Sequence, residues 1–202
     1  MKFRTSRAPR ALALLAVAAS LVAAGCGGGD NKSTGSANAN SKPTDLAFAE
    51  QMIPHHQSAI AMARIAQQRG QSAFVKNLAS EIVSAQKSEI VTLSAQRKKL
   101  QKEGVKPADL GLSMKDAGMD MSSGSLKSAN PFDRAFLDMM IPHHEGAVRM
   151  AQVELKQGSS PTLKKLATAI VSAQRREISE MKMEREKRFG SGSDMDMSAH
   201  SN

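Results

Sequence analysis

Imidazole is the reactive side chain that this sequence concentrates. Met52-Ile53-Pro54-His55-His56 recurs as Met140-Ile141-Pro142-His143-His144, and four of the five histidines lie in these two pentapeptides. The fifth, His200, is two residues from the C-terminus in a segment with no apolar pattern. Imidazole suits copper, zinc and nickel, and a thioether selects soft Cu(I). Met52 lies three residues before His55 and Met62 seven after it, and Met140 and Met150 repeat that spacing around His143. Adjacent histidines point about 100° apart on a helix, so each pair straddles a seam. A hairpin turning near Gly70 sets His56 level with Gln86 and Met52 level with Glu89. Gln86-x-x-Glu89 and Gln174-x-x-Glu177 thereby bring polar groups to the inner face of a second helix. Taken singly, a buried His or Met is a packing residue. A duplicated pairing with polar partners points beyond packing, to a metal site.

Pro54 and Pro142 each fall about eleven residues into a helical pattern, where proline removes a hydrogen bond and clashes with the carbonyl four residues back. The carbonyls released belong to Glu50 and Asp138. A rule broken at the same place twice suggests a kink that positions the histidines; the alternative is a kink that serves packing.

Other chemistries lack their signatures. A di-iron carboxylate site needs Glu-x-x-His on two helices, and no Glu here precedes a His by three; tyrosine is absent too. There is no nucleophile elbow and no phosphate-binding glycine loop. The chain is read as a non-enzyme. The net charge of +9 shrinks to +5 (24 basic minus 19 acidic) once Lys2, Arg4, Arg7 and Arg10 are set aside. With no Trp or Tyr to stack on bases, nucleic acid is not an expected partner.

The elements that must hold the motifs follow from an internal duplication. From Asp45 the chain repeats without a gap at an offset of 88, pairing Asp45 with Asp133, Phe48 with Phe136, Gly70 with Gly158 and Glu89 with Glu177. About two in five positions are identical, far above chance. Phe48, Met52, His55, Ala59, Met62 and Ala66 recur at helical spacing until Gly70 stops the helix. A second stripe, Val75, Leu78, Ile82, Ala85, Glu89 and Leu93, follows Ser72. In the second copy Asn130 reads as an N-cap with Pro131 at the first helical position, and Ser160-Pro161 restarts the chain. Each copy is thus a helical hairpin with helices roughly 40 Å long. The poverty in aromatics leaves Ala, Leu, Ile, Val and Met to build the core, a helical palette. The expected fold is an all-α four-helix bundle of two duplicated hairpins, residues 43–103 and 131–189, needing no cofactor to fold.

Residues 104–130 form a Met-rich linker long enough to cross the bundle, and 190–202 a Met- and His-containing tail; both read as disordered without a ligand. Methionine in such hydrophilic segments has no core to fill. Met114, Met119, Met121, Met195 and Met197, with His200, are candidates for accessory metal capture.

Residues 1–26 combine a basic start, an apolar run from Ala11 to Ala24, and Gly25-Cys26, which is the pattern of a signal peptide. Ala23-Ala24-Gly25-Cys26 resembles a bacterial lipobox, whose cysteine is lipidated; ordinary cleavage is the alternative. Residues 27–42, mostly Gly, Ser, Asn and Ala, make a flexible tether. The expected location is the extracytoplasmic face of the cell membrane, held by lipid on Cys26.

The paired Met-Ile-Pro-His-His motifs, each followed by Ala-x-x-Met-Ala at 59–63 and 147–151, with Gly70/Gly158 and Ala-Gln at 85–86 and 173–174, resemble the exported bacterial family called domain of unknown function 305. The resemblance covers residues 45 to about 186. It implies a ferritin-like four-helix bundle, and some members are linked to periplasmic copper binding. By that resemblance His55, His56, His143, His144, Met52, Met62, Met140 and Met150 are the candidate metal ligands, with Gln86, Glu89, Gln174 and Glu177 behind them. The expected function is copper sequestration or transfer, Cu(I) favoured, with a metal-exchange protein as partner and the oligomeric state open. The alternative is a non-catalytic structural or interaction module whose His-His pairs set hairpin register.

Overall fold

A computed structural model describes residues 41–119 and 123–190. It has four long helices, α1 (Ser41–Arg69), α2 (Ala73–Lys102), α3 (Phe132–Gln157) and α4 (Pro161–Phe189), and one 3-10 turn, Ser123–Lys127, before α3. No strand occurs among the described residues, and the all-α architecture of two hairpins is the one expected. No helix among them is long and apolar enough to cross a membrane. The signal peptide, Cys26, residues 27–40 of the tether, Met121, Met195, Met197 and His200 lie outside the described residues, while Ser41 and Lys42, assigned to the tether, open α1.

Local chemistry sets the helix ends. The Gly70 amide closes α1 on the Ala66 carbonyl at 2.8 Å. Ser72 Oγ accepts from Val75 N at 3.2 Å, and Ser160 Oγ from Leu163 N at 3.3 Å with Pro161 opening α4, each relieving one of the orphan donors of a helix start. α3 departs from expectation: Pro131 itself takes the cap position, without a side-chain hydrogen bond, and the helix begins at Phe132. Asn130 therefore does not serve as the cap, a shift of one residue. Both internal prolines sit inside helices that continue past them.

α1 and α3 are the inner helices. Each packs against its own hairpin partner and against the other, whereas α2 and α4 barely meet. This explains why α1 is buried on so much of its circumference, with Leu46, Ala47, Phe48, Ala49, Met52 and Ile53 all in the core. The core divides into two clusters. One joins Leu46–Ala49, Met52 and Leu93 to Met150, Ala151 and Ile170; the other joins Met62, Leu78 and Ile82 to Phe132, Phe136, Met140 and Met181.

Two aspartates clasp the hairpins reciprocally. Asp45, near the start of α1, accepts from Ser159 N (2.8 Å), Ser159 Oγ (2.7 Å) and Ser160 N (3.1 Å) in the turn of the second hairpin. Its counterpart Asp133 accepts from Gln71 N (2.8 Å) and Ser72 N (2.9 Å) in the turn of the first, and from Arg188. The start of each inner helix is thus tied to the end of the other, and α1 and α3 run antiparallel.

The described linker residues are ordered, contrary to expectation. Ala108 N donates to Pro43 O at the start of α1, and Arg69 at its end donates to the carbonyls of Leu126 (2.7 Å) and Ala129 (3.2 Å). The connection therefore runs the length of α1. Leu110, Ala117 and Leu126 are buried along it, and these apolar residues, sparse among Gly, Ser and Asp, are what holds the linker down.

Candidate metal centre

The antiparallel crossing of α1 and α3 brings the two motifs together. The rings of His55 and His143 face each other with centroids 3.7 Å apart and planes 37° apart. His56 lies 6.2 Å from His55, and His144 6.4 Å from His143, centroid to centroid. The 100° turn between adjacent residues sends the second histidine of each pair to the flanking helix. His56 Nε2 lies 2.7 Å from Glu89 Oε2 on α2, and His144 Nε2 lies 2.8 Å from Glu177 Oε2 on α4. The second contact is a well-formed hydrogen bond; the first has the length but a poorer angle. The result is a row, Glu89–His56–His55–His143–His144–Glu177, that reads nearly the same from either end. Where the spacing set Gln86 level with His56, the side chain that reaches it is Glu89, one turn further along α2.

Burial dominates the electrostatics. All four imidazoles are at most 2% exposed. Burial first, then the neighbouring His56 and His144, pulls His55 down to about 3, with the carbonyls of Ala117 and His143 opposing more weakly. Burial and then His55, His144 and His56 also pull His143 well below its ordinary value. Two imidazoles in face contact cannot both be charged. The pair is therefore neutral at physiological pH, the form in which imidazole nitrogen binds a metal.

No well-formed hydrogen bond reaches either nitrogen of His55 or of His143, or Nδ1 of His56 or His144, all of them buried; the carbonyls of Ala117 and His143 bear on the His55 ring without completing one. Such groups are rare in folded proteins and call for an explanation. With Nε2 of the outer histidines turned to carboxylates, their free Nδ1 is the donor left for a metal, the arrangement in which a carboxylate orients a ligating histidine. Among the described residues no three His, Cys, Asp or Glu side chains surround one point. The row is therefore a supply of buried donors rather than a closed cage, and thioethers or a ring rotation must complete any coordination sphere.

The structure buries all four candidate methionines, but apart: Met52 with Met150 in one cluster, Met62 with Met140 in the other. Each cluster thus takes one thioether from each copy. Gln86 and Gln174 are buried, and neither the Gln86 Oε1 atom nor either polar atom of the Gln174 amide has a partner. Met114 is 64% exposed, and Met119 is half-buried against the first cluster.

Three features were not read from the sequence. The Asp45 and Asp133 clasps were visible only as matched positions. Glu154, at the place of Ala66 in the first copy, is buried beside Asp45, and burial, reinforced by Asp45, pushes its carboxyl up to about 8. Gly146, where the first copy has Ser58, receives the linker; the broken match was the available signal.

Together, a duplicated antiparallel pair of hairpins and a buried row of imidazoles, the outer two turned to carboxylates and the inner two facing each other, define a class of all-helical proteins with an internal donor-rich centre. The chain belongs to the family described as domain of unknown function (DUF305), whose model matches residues 45–184. Among solved structures it is similar to CopM in its Cu(I)-bound form, 34% identical over 72% of this chain and 98% of that one, with a TM-score of 0.62. It is also similar to a DUF305 fragment from Deinococcus radiodurans, 29% identical over 72% and 97%, with a TM-score of 0.60. A curated relative, the uncharacterized protein L153 of Acanthamoeba polyphaga mimivirus, is 41% identical over 49 residues, 24% of this chain; the match spans about a third, 32%, of that protein.

Proposed function

We propose that the protein binds copper, Cu(I) in preference, through the imidazole row and the flanking thioethers, and sequesters the ion or hands it to a metal-exchange partner. The observation that carries this reading is the facing His55–His143 pair, buried, neutral and without a well-formed hydrogen bond at any ring nitrogen. CopM has been solved with Cu(I), Cu(II) and silver bound; the Cu(I) and silver forms support a soft, thiophilic cargo. Here His55, His56, His143 and His144 would supply nitrogen, and Met52, Met62, Met140 and Met150 sulfur, with Glu89 and Glu177 orienting the outer histidines. Copper is cargo in this reading and no catalytic step is assigned. The basic start, the apolar run and Ala23-Ala24-Gly25-Cys26 support export and a lipid anchor at Cys26 on the extracytoplasmic face of the membrane.

The test is copper stoichiometry by elemental analysis, under reducing and oxidising conditions, on the full chain carrying Cys26→Ser to remove a competing thiol. A variant with all four motif histidines changed to Ala, checked by circular dichroism, is the comparison. Copper on the parent and its loss from the folded variant is the expected result. Equal binding would move the site to the methionines of the linker and tail, and no binding to either would leave a structural or interaction module.

A further inference from the structure

Among the described residues all four imidazoles of the row are buried, and parting the helices to reach them would expose the core. One covering element differs from the rest. Residues 113–119 form a small self-closed turn, with Ala117 N bonded to Ser113 O (2.8 Å), Gly118 N to Lys115 O (2.9 Å) and Met119 N to Met114 O (2.8 Å). It lies on α3 by direct backbone contact. A Cβ at Gly146 would stand 2.1 Å from Ala117 O, and one at Gly118 would stand 2.7 Å from Pro142 O and 2.9 Å from His143 Cα. Gly118 also has φ +69°, a conformation glycine favours. The same Ala117 carbonyl acts on the His55 ring. The turn thus sits over both members of the stacked pair, at the Pro-His-His segment itself.

Resting on the metal-binding reading above, we propose that the turn of residues 113–119 is the gate over the His55–His143 pair, seated on Gly146 when closed and lifting to admit the metal. It is held to the bundle by the backbone contacts of Ala117 and Gly118 on α3, the packing of Met119, and a 2.6 Å hydrogen bond from Arg149 Nε to Asp116 O at the surface, while residues 113–116 are exposed. Elements with few buried contacts open at low free energy while the core stays folded. Thioethers bracket the gate. Met114 is exposed, Met119 is half-buried, and Met119 packs on the cluster that holds Met52 and Met150, a graded series of soft donors from solvent to the interior. Among the described residues the turn lies on the second copy, and the matching position of the first carries Ser58 in place of glycine.

Two variants of the full Cys26→Ser chain test this: Gly146→Ala, which fills the seat, and Arg149→Ala, which removes the surface tether. Without metal, acylation of His55 and His143 by diethyl pyrocarbonate is followed by peptide mass spectrometry. With metal, uptake of Cu(I) from a chromogenic Cu(I) chelator is followed by stopped flow. Both rates are expected to rise about tenfold in Gly146→Ala and less in Arg149→Ala. If Gly146→Ala does not fold by circular dichroism, Arg149→Ala decides. Labelling of the folded variants at the parent's rate overturns the gate whatever the metal does. Faster labelling with no Cu(I) taken up by any form leaves the gate standing and removes the copper reading.

Discussion

Replacing Glu154 by Gln should stabilise the protein, and the gain should grow with pH. Burial raises the Glu154 carboxyl from an ordinary 4.5 to about 8, so the folded chain must hold a proton there that the unfolded chain releases. A raised carboxyl pKa leaves stability highest below the unfolded value and erodes it as pH climbs toward the folded one. At about 1.4 kcal/mol per pH unit, the cost is about 1 kcal/mol at pH 5 and about 3 kcal/mol at pH 7. Glutamine has nearly the same shape and keeps a donor to offer Asp45, but has no proton to lose. Gly158 makes the room, since a Cβ there would stand 2.2 Å from Glu154 Oε1. Urea unfolding of parent and Glu154→Gln at pH 5, 6, 7 and 8 measures the difference directly. The two stability curves should diverge by about 1 kcal/mol per pH unit through this window. Parallel curves would refute the reasoning and show that the carboxyl is ionised in the folded protein.

The histidines should act in the opposite direction. The His55 pKa is lowered to about 3, so stability is full above 6.5 and falls as the unfolded chain takes up protons below it. From pH 7 to 5 His55 alone should remove about 2 kcal/mol from the metal-free protein, and His143 adds to the loss; melting in the Glu154→Gln background separates this from the carboxylate effect, and a melting temperature that does not fall would contradict it. Asp133→Ala should cost about 3 kcal/mol in urea unfolding, because it strands the Gln71 and Ser72 amides and leaves Arg188 only the longer contact with Glu184. Burial pushes Asp133 up, yet donors from Gln71, Arg188 and Ser72 outweigh it and hold its carboxyl below the usual range, so its stabilisation should fade only in acid. Glu177→Gln should keep the fold but weaken copper retention by roughly tenfold in competition with a chelator, through loss of the carboxylate that orients His144; unchanged retention would place His144 outside the site.

Periodicity and duplication made the fold legible without coordinates. Apolar residues at three- and four-residue spacing, ended by Gly70 and Gly158 and restarted at Ser72 and Ser160, are local signals whose physics acts within a turn or two of helix. An offset of 88 without a gap then made two hairpins out of four helices. The doubled Pro-His-His likewise marked where chemistry was concentrated, because its residue types are costly to bury without a purpose.

What the sequence could not carry was the way one copy meets the other. That His55 faces His143 depends on the antiparallel crossing of α1 and α3, which no spacing within one copy encodes, whereas His56 meets Glu89 within a single hairpin. The Asp45 and Asp133 clasps join residues more than 60 positions apart, and a hydrogen bond of that separation leaves no periodic trace. The same holds for the linker: its composition reads as unpatterned, but Leu110, Ala117 and Leu126 find a groove that exists only after the hairpins have packed. Glycine at 146 breaks the match with Ser58, but what it makes room for shows only once a backbone lies across it. Local sequence determines which residues form helices and which faces are apolar; the tertiary structure alone decides which faces meet, and a site shared between two copies is made at that step.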